Sequence, residues 1–139
     1  MRLPEMTPAA DEFLRGTRLA VIVEAGDPVP HAVPVWYGWD GEAIEFFTRA
    51  TRPKVERLRA NPEIAVLVSA EVAEPVYWVR IEGRAALRDD AADLVHTLCD
   101  RYLDPDDDAH RALGDELRSL AHEAVRVRVV PDRIFHFAG

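Results

Sequence analysis

A small antiparallel β-barrel with peripheral helices is the fold this chain predicts, and three observations predict it. About seven short segments read as strands and three or four as helices, from hydrophobic period and turn residues. Adjacent strands are joined mainly by tight turns, which favours antiparallel pairing. The chain has 139 residues, enough for one domain with one core, and that many strands in so small a domain favours closure over an open sheet.

The elements follow in order. Thr7-Pro8 reads as N-cap and first residue of a short helix running to Arg15 and stopping at Gly16. Arg18 to Ala25, RLAVIVEA, is an apolar run expected to be a strand covered on both faces. Val29 to Trp39 is a second extended run; Val33, Val35, Tyr37 and Trp39 share one face, Pro34 and Trp36 the other. Pro30 and Pro34 cannot donate to a ladder, so this strand is expected to be at an edge or bulged there. Asp40-Gly41 reads as a two-residue hairpin turn into a strand from Glu42 to Arg49.

Pro53 to Ala60 gives about two turns of basic helix, with Val55 and Leu58 facing in, Arg57 and Arg59 facing out, and Asn61-Pro62 as its end. Glu63 to Ala70 is a core strand, and Val76 to Arg88 a long one in which Gly83 marks a bulge or barrel corner. Asp89 or Asp90 caps a helix reaching Leu103. A further helix, Ala109 to His122, is expected to bury Leu113, Leu117 and Leu120. Ala124 to Val130 and Arg133 to Ala138 read as a terminal pair of strands around Pro131-Asp132.

Composition narrows the function. A net charge of −8 argues against nucleic acid or an anionic membrane as the main partner, since both need a positive face. No apolar run is long enough to span a bilayer, and the N-terminus lacks a signal peptide's charged and apolar regions, so a cytoplasmic setting is expected. Cys99 is the single cysteine and reads as a buried small hydrophobe. The five histidines have no ligand spacing, and no metal site is expected. The acidic run from Asp104 to Asp108 lacks the glycine and glutamate of a calcium loop.

One place stands out against this acidic background. Arginine outnumbers lysine sixteen to one, and the lone lysine, Lys54, lies with Thr48 and Arg52 where a strand hands over to a helix. Helix N-termini expose unpaired N–H groups and favour anions, so a phosphate is the natural ligand there. The plain alternative is a solvated basic helix pairing with surface carboxylates. Trp36, Tyr37 and Trp39 divide similarly. Tyr37 and Trp39 read as core, whereas Trp36, beside Pro34, is the better platform for a planar ligand.

These residues occur in an order that resembles a known family. PVWY at Pro34 to Tyr37, the WDG that follows, the strand ending at Thr48, Arg52 and Lys54 at the helix start, LRANP at Leu58 to Pro62 and IEGRAAL at Ile81 to Leu87 together resemble the FMN-binding split-barrel superfamily. Within it, they are most similar to the pyridoxamine 5'-phosphate oxidase-like flavin and deazaflavin oxidoreductases. The resemblance implies an antiparallel split β-barrel that forms a homodimer and binds FMN or the deazaflavin coenzyme F-420. It carries cofactor-phosphate binding to Thr48, Arg52 and Lys54, and ring contact to Val33, Pro34, Val35 and Trp36; Arg49 and Thr51 are weaker candidates. It names no catalytic side chain. The function it implies is hydride transfer to or from a small organic substrate. Long family members that oxidise pyridoxamine phosphate carry extra segments, so B6 oxidase activity is not expected of so short a chain. The alternative is a carrier or sensor on the same scaffold that binds flavin, haem or another tetrapyrrole without turnover, with His31 as a possible axial ligand.

Overall fold

A computed structural model describes residues 6–139. Thr7 caps the first helix, its Oγ1 accepting from the Ala10 N–H at 3.1 Å, and Pro8 opens it as expected (α1, Pro8–Leu14). Seven strands follow as one antiparallel sheet: β1 (Ala20–Glu24), β2 (His31–Val35), β3 (Gly38–Trp39), β4 (Ile44–Arg49), β5 (Glu63–Ser69), β6 (Tyr77–Arg88) and β7 (Ala124–Ala138). The remaining helices are α2 (Pro53–Ala60), α3 (Ala92–Tyr102) and α4 (Asp108–Ser119), with a 3-10 turn at Ala121–Glu123.

The strand order is β2-β1-β5-β6-β7-β4-β3. The two edges of the sheet, β2 and β3, are consecutive pieces of chain separated only by Trp36 and Tyr37. A sheet whose first and last strands are so joined must curl on itself, and the result is a split barrel. The expected single strand from Val29 to Trp39 is therefore bent in two. One half pairs with β1 and the other with β4.

Alternation along the strands fills the interior. Ile22, Phe46, Val66, Val68, Ile81 and Ile134 are fully or almost fully buried there, with Tyr37 and Leu14. Tyr37 closes one end, its hydroxyl donating to the Leu14 carbonyl at 2.9 Å, and burial pushes its pKa up. A second, smaller core of Ala91, Val95, Cys99, Ala121 and Ala124 lies under α3, packed by Trp36 and Phe47. Arg126 ties the two layers together, donating to Glu45 Oε1 at 2.9 Å and Asp93 Oδ1 at 2.6 Å.

Five expectations are corrected. β1 is not covered on both faces: Val21 and Val23 are half-exposed on its outer side. The hairpin after Trp39 has a four-residue loop, because Trp39 pairs with Ile44 and Asp40 Oδ1 accepts from the N–H groups of Glu42 and Ala43. No aspartate caps α3. Its N-cap is Ala91, while the Asp90 carboxylate pairs with Arg88. On α4, Leu113 is 39% exposed and only Gly114 is fully buried; Leu117 is half-buried against the second core, and with Leu113 it borders a groove. The terminal segment is one strand, and Pro131-Asp132 is no turn. β7 pairs with β6 along its whole length, with a bulge where Glu82 faces Arg133 and Gly83 faces Pro131, leaving Asp132 as the extra residue. Gly83 is required at that bulge, since an added Cβ would lie 2.6 Å from the Val130 carbonyl oxygen.

Candidate functional site

The junction of β4 and α2 builds the site. Thr48 is the penultimate residue of β4 and is buried; Arg52 is the N-cap of α2, in extended conformation, and Pro53 occupies its first turn. No side chain caps the helix; Pro53 has no N–H and the Val55 N–H donates to the Arg52 carbonyl at 3.1 Å, which leaves the Lys54 N–H to an anion. Across from them lies the beginning of β2. Together, Thr48, Arg52, Pro53 and Lys54 face His31, Ala32 and Val33 over a cleft of about 500 Å³, with Glu24 and Arg57 in its wall.

Lys54 is half-buried there. Desolvation lowers its pKa and outweighs the opposing pull of the Glu24 carboxylate; the neighbouring Arg57 and Arg52 push it the same way as burial. Among the described residues its ammonium makes no ion pair. A crowded, partly dehydrated cation without a direct ion-pair contact among the described residues is suited to an anion that arrives from outside.

Sequence reasoning missed two members of this wall. Glu24 ends β1 and is only 4% exposed. Its Oε1 accepts from both Arg57 Nε at 2.9 Å and Arg57 Nη2 at 2.5 Å. Arg57 was expected to face solvent, and the structure turns it inward. Both were legible in principle. Glu24 shares strand parity with the buried Ala20 and Ile22, and a carboxylate on a core face needs a cation. Arg57 is three residues after Lys54, on the same side of the helix.

The predicted ring contacts are divided. Val33 lines the cationic cleft, whereas Pro34, Val35 and Trp36 line a neighbouring apolar groove of about 350 Å³ with Leu19, Phe47, Leu113 and Leu117. Trp36 stacks on Tyr102, with ring centroids 5.2 Å apart and planes 6° from parallel. β2 thus runs between a charged cleft and an apolar one. Arg49 and Thr51 line neither; Arg49 is 3.8 Å from Glu116. His31 is at the cleft margin. Tyr77 packs against the barrel core, and Trp78 stacks on Phe137 on the outer face.

Such an arrangement can hold an elongated molecule with an anionic tail and an apolar, planar head. A family model described as pyridoxamine 5'-phosphate oxidase matches residues 6–130. No curated protein sequence matches the chain. Among solved structures, an F-420 reductase superposes with a TM-score of 0.72 at 20% identity, covering 94% of this chain and 98% of that one. A conserved hypothetical protein from Mycobacterium tuberculosis gives 0.72 at 23% identity, over 99% and 90% of the two chains. An FAD and haem binding protein from Mycobacterium smegmatis gives 0.70 at 18% identity, over 96% and 71%. At these identities the likeness is one of fold. No helix among the described residues is long and apolar enough to cross a membrane.

Proposed function

The chain belongs to the pyridoxamine 5'-phosphate oxidase family, and from that premise we propose that it binds FMN or the deazaflavin coenzyme F-420 and acts as an oxidoreductase on a small organic substrate. The observation that carries this reading is the convergence of Thr48, Arg52 and Lys54 on one cleft, at an uncapped helix start, beside Val33. The residues fit the group. Two cations and the Lys54 N–H at the start of α2 suit a phosphate, and the apolar groove beyond β2 suits a planar ring. When bound, the cofactor supplies a ring that accepts or gives up a hydride. The chain's own part is to grip the tail, set the ring along β2 and keep water from one of its faces.

Pyridoxamine 5'-phosphate itself is not the proposed substrate. The groove is lined by seven apolar residues and no cation, so nothing there would receive a second phosphate. A neutral organic molecule suits it better.

A homodimer is part of the proposal. On the outer face of the sheet, Val21, Val23, Ala65 and Leu67 alternate with the buried residues of β1 and β5 and remain half-exposed. Trp78, Phe135 and Phe137 extend that face, with Phe137 48% exposed. An apolar surface of this extent supports burial against a second copy. Leu67→Glu should convert the dimer to a monomer in sedimentation equilibrium, and a wild-type monomer at micromolar concentration would remove this part of the proposal.

A second reading, a carrier that binds flavin or haem without turnover, is favoured by His31 at the cleft margin. Titration of the purified protein with FMN, with F-420 and with haem separates flavin-type from haem binding by their distinct absorbance bands, and reoxidation of the reduced, bound coenzyme by a small organic acceptor separates turnover from carriage. Binding of FMN or F-420, weakened in the folded Arg52→Ala/Lys54→Ala double variant, is the expected result. Failure of either coenzyme to bind at concentrations on the order of 1 mM, a very weak affinity, would remove the proposal.

A further inference from the structure

We propose that Arg57, aimed by the buried Glu24, is a third ligand-facing cation of the cleft, and that Glu24 acts as its positioning residue. The inference rests on the cofactor reading above and deepens it. Arg57 spends Nε and Nη2 on one carboxylate oxygen, Glu24 Oε1, at 2.9 and 2.5 Å. That contact leaves Nη1 without a hydrogen-bond partner among the described residues, on a side chain in the wall of the cleft that Arg52 and Lys54 also line. A guanidinium held by one edge presents its remaining N–H groups in a fixed plane, which is the geometry that phosphate and carboxylate oxygens match.

The pair is not explained by folding alone. Glu24 is 4% exposed at the end of an apolar strand, where an aliphatic residue would satisfy the barrel. Its second oxygen, Oε2, is buried and has no hydrogen-bond partner among the described residues. Buried acceptors are rarely left unpaired without a reason. Glu24 lines the cationic cleft, and Arg57 is the one hydrogen-bond donor to its carboxylate among the described residues. Counting formal charges, Arg52, Lys54 and Arg57 against Glu24 leave the cleft two positive, which suits a dianion such as a phosphate monoester or a tail bearing more than one acidic group.

The test compares a coenzyme with its phosphate-free ribityl parent in four proteins: wild type, Arg57→Ala, Glu24→Gln and the double variant. FMN is set against riboflavin, and F-420 against its ribityl deazaflavin core. Arg57→Ala should weaken coenzyme binding by about tenfold or more and leave the phosphate-free parent within about twofold. Glu24→Gln keeps the shape but removes the charge that fixes Arg57. It should cost about threefold to tenfold alone and almost nothing once Arg57 is already alanine, the signature of coupled residues. Arg59→Ala, exposed on the far side of the same helix, is the control and should change nothing. Equal loss for coenzyme and parent, or coenzyme binding by Arg57→Ala at wild-type strength, would overturn the proposal. If the wild type bound neither coenzyme, the cofactor reading would fall and this inference with it.

Discussion

Replacing Lys54 with methionine should separate binding from stability. Lys54 contributes a half-buried ammonium with lowered pKa and no ion pair among the described residues. A hydrogen bond from such a charged group to phosphate is worth about 1.5–3 kcal/mol, so Lys54→Met should weaken coenzyme binding roughly 10- to 150-fold. Stability should move the other way. Because folding lowers the lysine's pKa, the charged form costs stability at neutral pH, and that cost is relieved only as pH rises through the folded pKa toward the ordinary value of 10.5. Methionine has a stem of similar length without the charge. The ligand-free variant should therefore melt at or slightly above the wild-type temperature. Calorimetric titration gives the first quantity and thermal denaturation the second. Wild-type affinity should also decline as pH climbs toward the depressed lysine pKa, and this limb should vanish in the methionine variant. Unchanged affinity, or a ligand-free protein that melts several degrees lower, would refute the reasoning.

Three further outcomes are expected. Tyr37→Phe removes a buried hydroxyl that donates to the Leu14 carbonyl at 2.9 Å; it should cost about 1–2 kcal/mol in urea unfolding. Gly83→Ala drives a methyl against the Val130 carbonyl oxygen at 2.6 Å, and should cost about 1–3 kcal/mol in the same assay while sparing coenzyme affinity. Acid should destabilise the fold through its paired aspartates. Hydrogen bonds from Arg15 and Trp39 hold Asp11 below the usual carboxylate range, and one from Arg126 does the same for Asp93. Their contribution is fully present above the ordinary aspartate pKa near 4 and is lost as pH falls through the lowered folded values; Asp93→Asn should flatten part of that decline in the urea midpoint.

What the residues disclosed, and what they withheld, follows local rules. α2 has the bounds expected of it because both ends are punctuated by proline, Pro53 in the first turn and Pro62 just past Asn61. Two prolines that cannot donate left an edge or a bulge for this strand, and the sheet order decides for the edge. Local pattern failed where distant chain decides. Leu113 and Leu117 have helical spacing, yet whether that face meets the barrel or a groove depends on where α4 docks. Pro131-Asp132 has turn composition, but β6 on one side keeps the strand extended and absorbs the surplus residue as a bulge. In the site, Thr48, Arg52 and Lys54 were legible because they are neighbours in sequence. The Glu24–Arg57 contact joins residues 33 positions apart; strand parity marks Glu24 as inward-facing, but nothing local says which cation meets it.

The bend at Trp36 and Tyr37 gives the shell a place to yield. Where neither adjoining strand continues, the Tyr102 hydroxyl stands in for a neighbour, receiving the Tyr37 N–H at 3.3 Å and reaching the Arg18 carbonyl at 2.5 Å. A phenol on a helix is a looser fastening than a ladder, because it can swing away without unzipping anything else. Amide exchange at this seam should therefore be faster than in the laddered strands on either side of it. A molecule that lies across both hollows would clasp that seam shut, so its arrival would be felt first as a quieting of this short stretch of backbone.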